Sequence, residues 1–295
     1  MTKRNKKNPN KLARLLGIGA AVSFGVWLWL ERRRPLRRAN EDGLTRDVRN
    51  LALAACAAVV TSLVERPLAL RMARRVETQR LGLLKRLSLP RAIETLAACA
   101  LLDYTLYGWH YLTHRVPLLW RCHVVHHADL DLSVTTALRF HFAELLLSVP
   151  FRLAQLRVLG VSPPAFTLWQ RLLFISVLFH HSNIRLPIEW ERRLNRLIVT
   201  PRMHGIHHSI VREETDANWS SGLTVWDWLH GTLRRDVPQQ AVIIGVPAYR
   251  EPAQVTFAKI VAMPFATQPD SWQLPESEER PAREIFAPPT VLLQA

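Results

Sequence analysis

Residues 110–127, HYLTHRVPLLWRCHVVHH, hold five of the chain's twelve histidines. On a helix, side chains four residues apart share one face, with Cβ atoms about 5–6 Å apart. His110 and His114 can therefore chelate one metal ion. HVVHH sets His123 three and four residues before His126 and His127. Adjacent helical residues diverge by about 100° around the axis, so this one turn can serve two metals. HGIHH (204–208) repeats the pattern with His204, His207 and His208. Eight imidazoles exceed what one tetrahedral zinc takes and suit two metals. His181, beside His180, and His141 are supplementary candidates, although an isolated His141 or His230 also reads as an ordinary hydrogen-bonded side chain. Asp103, two turns before His110 with Tyr107 between them, is placed on the same stripe to accept a ring N–H and fix a ligand tautomer.

Imidazole serves iron, copper, zinc and nickel alike, so ligand type alone does not choose the metal. A zinc peptidase needs H-E-x-x-H, whose glutamate is the general base. Tyr111 and Val124 stand at the corresponding positions here. Many imidazoles beside apolar helices point instead to C–H bonds in lipid tails or sterols, which need an oxidant. A pair of irons activating O2 provides one. Two other readings stay open. A di-zinc lipid hydrolase on the same ligands predicts activity without O2 or reductant, but G-x-S-x-G is also missing. A non-catalytic metal-binding membrane protein predicts a ligand set closed to substrate.

The elements that must position these residues are apolar. LLGIGAAVSFGVWLWL (15–30) runs straight into arginines with no small-residue cleavage site, as an uncleaved anchor does. It is shorter than the ~20 residues that cross a bilayer. Further apolar stretches cover 51–64, 92–112, 142–161 and 165–179. The last two, joined by GVSPP, read as a helical hairpin that dips into the membrane and returns. All the histidine clusters then emerge on one membrane face. The expected fold is all-α: an integral membrane helical bundle with a cap of short helices carrying the histidine boxes. A basic membrane-anchor region is expected over 1–91, a histidine-box domain over 92–235, and a C-terminal extension over 236–295. Within that extension, 239–249 suggests a short strand, and a loose Pro- and Glu-rich tail is expected from about 264.

Residues 1–91 carry 21 Lys/Arg against 6 Asp/Glu, which accounts for the whole net charge of +15. Interleaved with apolar runs, this excess fits anionic lipid head groups better than nucleic acid. Cys56, Cys99 and Cys122 form no C-x-x-C pair, so neither a disulfide framework nor a thiolate zinc site is indicated.

HYLTH, HVVHH and HGIHH, in that order and spacing, resemble the three histidine boxes of the fatty acid hydroxylase/sterol desaturase superfamily. The likeness extends over residues 100–235. It includes the connector RVPLLW, ALRFHFAE (137–144), HHSN (180–183), TPRMHGIHHS (200–209) and NWSSGLTVWDWLHGT (218–232). The resemblance implies an integral membrane, non-haem di-iron oxygenase that hydroxylates or desaturates a lipid-like substrate. It implies two iron ions, with zinc as an alternative occupant of the protein as isolated, and electrons from a separate reductase or donor protein. It implies ligation by His110, His114, His123, His126, His127, His204, His207 and His208, then by His181 and His141. Arg139, Glu144, Asn183, Asn218 and Asp227 match positions whose hydrogen bonds support the ligands.

Overall fold

The computed structural model describes residues 24–274. Of the expected 15–30 anchor, residues 24–30 are helical, in a helix that runs on to 33, and the remainder lies outside the described residues. Helix α1 (Gly43–Val60) continues through a π-helical turn, Thr61–Glu65, into α2 (Arg66–Gln79). Pro67 explains the widened turn, because proline offers no N–H to the carbonyl four residues back. The sequence shows only a short apolar run at 51–64, yet the span Gly43–Arg86 is long and apolar enough to cross a membrane. It is the one such helix among the described residues.

Helix α3 (Arg91–Arg115) carries the first histidine box near its C-terminal end. It stops where Pro117 follows Val116, since the residue before proline is pushed out of the helical region. Val116 is accordingly extended (φ −92°, ψ 116°), and α4 (Pro117–His127) starts with that proline in its first turn. The break folds the second box back against the first.

The expected hairpin forms as α5 (Phe142–Leu159) and α6 (Pro163–His181), with Ser162 capping α6 through the Ala165 N–H. Its turn depends on Gly160, at φ +82°, where a Cβ would lie 2.9 Å from the Leu81 carbonyl oxygen. The two arms do not close on each other. α5 packs mainly on α2 and α6 mainly on α3. Ala98 and Leu102 of α3, Leu156 of α5 and Phe166 and Trp169 of α6 form one buried cluster there. On the outside, Leu63, Leu96 and Val158 are each at least 65% exposed, leaving the helices apolar where no protein covers them.

The cap consists of short helices, including α7 (Pro201–His207) and α8 (Val225–Leu229). No strand forms among the described residues; the expected strand at 239–249 is reduced to a single bridge between Ser209 and Ile244. A second core cluster joins Leu53, Val124, Tyr249 and Ile260, so all three expected regions share one interior. The expected loose tail from 264 is instead docked as far as 274. Arg121 donates to the Pro264 carbonyl (2.5 Å), Trp120 donates to Ser271 Oγ (3.0 Å), and Trp120 stacks on Trp272. Residues 275–295 lie outside the described residues.

Several residues of the basic N-terminal region are interior. Arg46 and Asn50 are buried against Asp129, which directly follows the second box (Arg46–Asp129 3.4 Å, Asn50 Nδ2 to Asp129 Oδ2 2.8 Å). Arg46 also donates to Ser133 Oγ at 2.7 Å, and Arg49 pairs with Glu41 at 2.6 Å. Burial works against the Asp129 charge, but Arg46 and Arg139 outweigh it and hold the carboxyl below its ordinary range.

Candidate metal centre

The three boxes, brought in from α3, α4 and α7, converge with His181 at the end of α6 into two groups. His110, His114, His127 and His207 form one; His126, His181, His204 and His208 form the other. Within each group one nitrogen per ring lies within 4.8 Å of all the others. The adjacent pairs His126/His127 and His207/His208 are split between the groups, as divergence around the helix axis requires. His204 and His208 go together, and the rings of His127 and His208 stack at 4.3 Å, joining the two groups.

Hydrogen bonds on the far side of the rings fix several tautomers. His110 Nδ1 donates to the Trp219 carbonyl (2.7 Å), His207 Nδ1 to the Ala217 carbonyl (2.8 Å) and His181 Nδ1 to the Val177 carbonyl (2.8 Å). A carbonyl accepts only, so each neutral ring bears its proton on Nδ1 and turns a lone pair inward from Nε2. His207 Nε2 then faces His110 Nε2 at 3.0 Å. In the other group His181 Nε2 lies 3.0 Å from His204 Nε2 and 3.1 Å from His126 Nε2. The lone pairs of His110 and His207, opposed at that distance, repel in an empty space. They suit a cation between them, because metal–nitrogen bonds of 2.0–2.1 Å at a right angle place two ligand atoms about 2.9 Å apart. Both ring nitrogens of His114 and of His127 are buried without a hydrogen-bond partner, which a metal would also supply.

Protonation agrees with this. Burial first, and neighbouring imidazoles second, hold His126, His127, His204 and His208 well below the ordinary histidine value. His207 is lowered to about 3, chiefly by burial. Neutral imidazole is the ligating form.

The remaining candidates divide. His123 belongs to neither group of four. Its Nδ1 donates to Glu144 Oε1 (2.8 Å), its Nε2 is buried without a partner, and its ring lies 5.3 Å from both His110 and His126. It thus stands between the groups with a free lone pair, its orientation held by Glu144. His180 is buried beside His204, ring to ring at 4.1 Å. His141 is not brought to the cluster. It caps α5 by accepting from the Ala143 N–H (3.1 Å), and its Nε2 donates to the Val261 carbonyl (3.1 Å), so both nitrogens are engaged.

Asp103 does not reach a ring. Seven residues on a helix advance about 10 Å along the axis, which leaves its carboxylate two turns short of His110. It accepts instead from the Leu223 N–H (2.9 Å) and Trp226 Nε1 (2.7 Å). Asp227 serves the site through the backbone. It accepts from the Trp219 N–H (2.8 Å), the Ser220 N–H (3.0 Å) and Thr232 Oγ1 (2.7 Å), fixing the loop whose carbonyls orient His110 and His207. Asn218, at φ +56°, ties that loop to α7 by donating to the Met203 carbonyl (2.9 Å). Arg139 is fully buried and holds the second box through the Val125 carbonyl (2.8 Å) and Asn50 Oδ1 (2.7 Å). Asn183 grips the Arg37 backbone through both ends of its amide, each at 2.9 Å. Arg37 in turn packs on Gly205, where any Cβ would collide with the guanidinium.

A cavity of about 460 Å³ opens on this centre. His110, His123, His126 and His204 line one end, and mainly apolar side chains of α1, α3, α5 and α6 line the rest. It occupies the space left by the splayed hairpin.

Helices that present two four-imidazole clusters to a largely apolar cavity define a helical bundle with two candidate metal sites. Comparison with known proteins makes the class specific. Residues 95–232 match the fatty acid hydroxylase family. An ornithine lipid hydroxylase of Rhizobium tropici is 32% identical over 159 residues, covering 53% of this chain and 46% of that protein. An alkylglycerol monooxygenase of Xenopus tropicalis is 27% identical, over 48% of this chain and 30% of that protein. A cholesterol 25-hydroxylase of Mus musculus is 32% identical, over 46% and 45%. The chain thus spans less than half the length of these curated relatives. No solved structure matches.

Proposed function

We propose that this chain is an integral membrane, non-haem di-iron oxygenase that hydroxylates a lipid-like substrate using O2 and electrons from a separate donor protein. The observation that carries the reading is the pair of inward-facing four-histidine clusters at the end of an apolar cavity. The named relatives are a lipid hydroxylase, an ether-lipid monooxygenase and a sterol hydroxylase, which favours oxygen insertion over desaturation. The apolar span Gly43–Arg86 and the exposed leucines on the helices support bilayer insertion.

When bound, two irons supply the activation of O2 that an unactivated C–H bond requires. The protein's residues do the rest. His110, His114, His127 and His207 hold one metal, and His126, His181, His204 and His208 hold the other. His123, set by Glu144, adds a ninth imidazole between them. The carbonyls of Ala217, Trp219 and Val177 keep three of these rings in the ligating tautomer. The apolar walls align a chain or ring system with the histidines and keep bulk water from the reacting carbon. Overall, R–H, O2, two electrons and two protons give R–OH and water.

The test is metal content by mass spectrometry on detergent-purified protein, beside a His123→Ala/His207→Ala double variant. Reductant and isotopically labelled O2 are then supplied with lipid extract. Two irons per chain, depleted in the variant, and label appearing in a lipid hydroxyl are expected. Zinc retained after expression in iron-replete cells, with lipid turnover that needs no O2, would refute the reading.

A further inference from the structure

The end of the cavity away from the histidines is not apolar. Glu65, Arg152, Trp169 and Gln170 line it, where α2, α5 and α6 meet. Arg152 is nine-tenths buried, and its guanidinium lies over the Trp169 ring, 4.6 Å from the ring centre. One Nη group donates to Gln155. Its Nε has no hydrogen-bond partner, the nearest Glu65 oxygen standing 3.6 Å away, and the indole N–H of Trp169 is also buried without an acceptor. Two orphan donors and one carboxylate therefore meet at one end of a cavity whose other end is the metal centre.

A charge inside a bilayer-embedded bundle is costly and marks a pathway or binding site more often than a structural pair. The backbone gives a second sign, since Glu65 closes the π-helical turn Thr61–Glu65 and such turns concentrate at functional sites. None of these residues is needed to hold the histidines.

We propose that Arg152 and Glu65 form a head-group subsite that binds the uncharged hydroxyl end of a lipid and thereby sets which carbon reaches the metals. This deepens the oxygenase reading and rests on it. A hydroxyl matches the pair because its oxygen accepts from Arg152 or Trp169 while its hydrogen donates to Glu65. A carboxylate would find the same donors but lie against the Glu65 charge, and an ammonium would lie against Arg152. Helix rise gives the distance. Arg152 is eight residues along α5 from Glu144, the partner of His123, and Trp169 is twelve along α6 from His181. These separations correspond to about 12 and 18 Å, so the ligand is a long chain or a fused-ring skeleton with its hydroxyl remote from the oxidised carbon.

The experiment measures binding, with the full chain in detergent and tritiated 1-hexadecanol displaced by unlabelled 1-hexadecanol, palmitate or hexadecane. The wild type is expected to prefer the alcohol to the alkane by about tenfold or more, the ratio given by a hydrogen bond to a charged group. Arg152→Met should shrink that preference several-fold, leaving only what Trp169 and Glu65 supply. Glu65→Gln should raise palmitate above the alcohol, because the guanidinium is then unpaired. That exchange of preference is not produced by a structural defect, and it stands if Arg152→Met fails to fold. Equal binding of all three ligands by the wild type, or no gain for palmitate in Glu65→Gln, would overturn the proposal. The readout needs no turnover, so preserved head-group selectivity in a protein without oxygenase activity would sink the functional reading and leave the subsite standing.

Discussion

Replacing Asp227 by asparagine should separate the two metals. Asp227 is fully buried and touches no histidine; it acts on the ligands only through the loop 217–220. One carboxylate oxygen accepts from both Trp219 N and Thr232 Oγ1, and the other accepts from Ser220 N. An asparagine oxygen can keep the first pair, but its amide then points N–H at the Ser220 N–H. The variant loses one hydrogen bond to a charged group, about 1.5–3 kcal/mol, and faces donor with donor. Part is returned, because burial pushes the Asp227 carboxyl above its ordinary range and the neutral amide escapes that cost. The net loss falls on the carbonyls of Trp219 and Ala217, which orient His110 and His207. Removing the support behind a ligand typically costs 10–100-fold in metal affinity, about 1.4–2.7 kcal/mol, which agrees with the hydrogen-bond figure. Both affected rings belong to one group; of the other group, His181 is held by the Val177 carbonyl, and none of its four rings bonds to the 217–220 loop. Titration with a chelator, followed by metal analysis, should show one metal released at about 10–100-fold lower chelator concentration and the second unchanged. Simultaneous loss of both, or no change in either, would refute the division of ligands and the role given to the loop.

Other perturbations test neighbouring parts of the argument. His141→Ala removes an N-cap and a bond to the Val261 carbonyl, so it should cost about 1–3 kcal/mol of stability and leave metal content unchanged; a lost metal would restore His141 to the ligand set. Asp103→Asn should loosen the Leu223–Trp226 segment, seen as faster amide exchange there, while metal affinity falls less than in Asp227→Asn. For pH, His207 has a folded value of about 3 against 6.5 for a free ring, so below pH 6.5 the unfolded chain takes up a proton that the folded chain refuses. Its contribution to stability is therefore intact above 6.5 and declines as pH falls toward 3. Metal retention should decline through the same window, followed by thermal unfolding across a pH series; retention that improves on acidification would contradict neutral-imidazole ligation.

The histidine cluster was legible in the sequence because the spacing within each box is local. Separations of three and four along one helix determine a shared face wherever the helix sits, and seven of the eight box histidines enter the two groups of four, with His123 between them. His181, a supplementary candidate in the sequence, is brought in by the end of α6. What supports the ligands was less visible, for a physical reason. Trp219 and Ala217 act through carbonyl oxygens, which every residue possesses, and the positive φ of Asn218 that aims them leaves no mark on the hydrophobic pattern. Asp103 was misplaced because a helical stripe gives direction around the axis but says little about distance along it.

Charge shows the same limit from the other side. The excess of arginine in the first third reads as attraction to lipid head groups, since counting cannot pair Arg46 with an Asp129 more than eighty residues away. In the structure that pair, with Asn50 and Arg139, forms a buried polar layer directly behind HVVHH. A buried pair of this kind adds little net stability, because desolvation offsets most of the attraction. What it supplies is position. The second box ends at His127, Asp129 follows two residues later, and Arg139 grips the Val125 carbonyl within the box. The basic segment that resembles an anchor is therefore also the rear wall of the histidine cluster. Arg46 of that segment and Arg139 beyond it should both be intolerant of charge-preserving change, because lysine cannot reproduce the several directed donors that each extends to different partners.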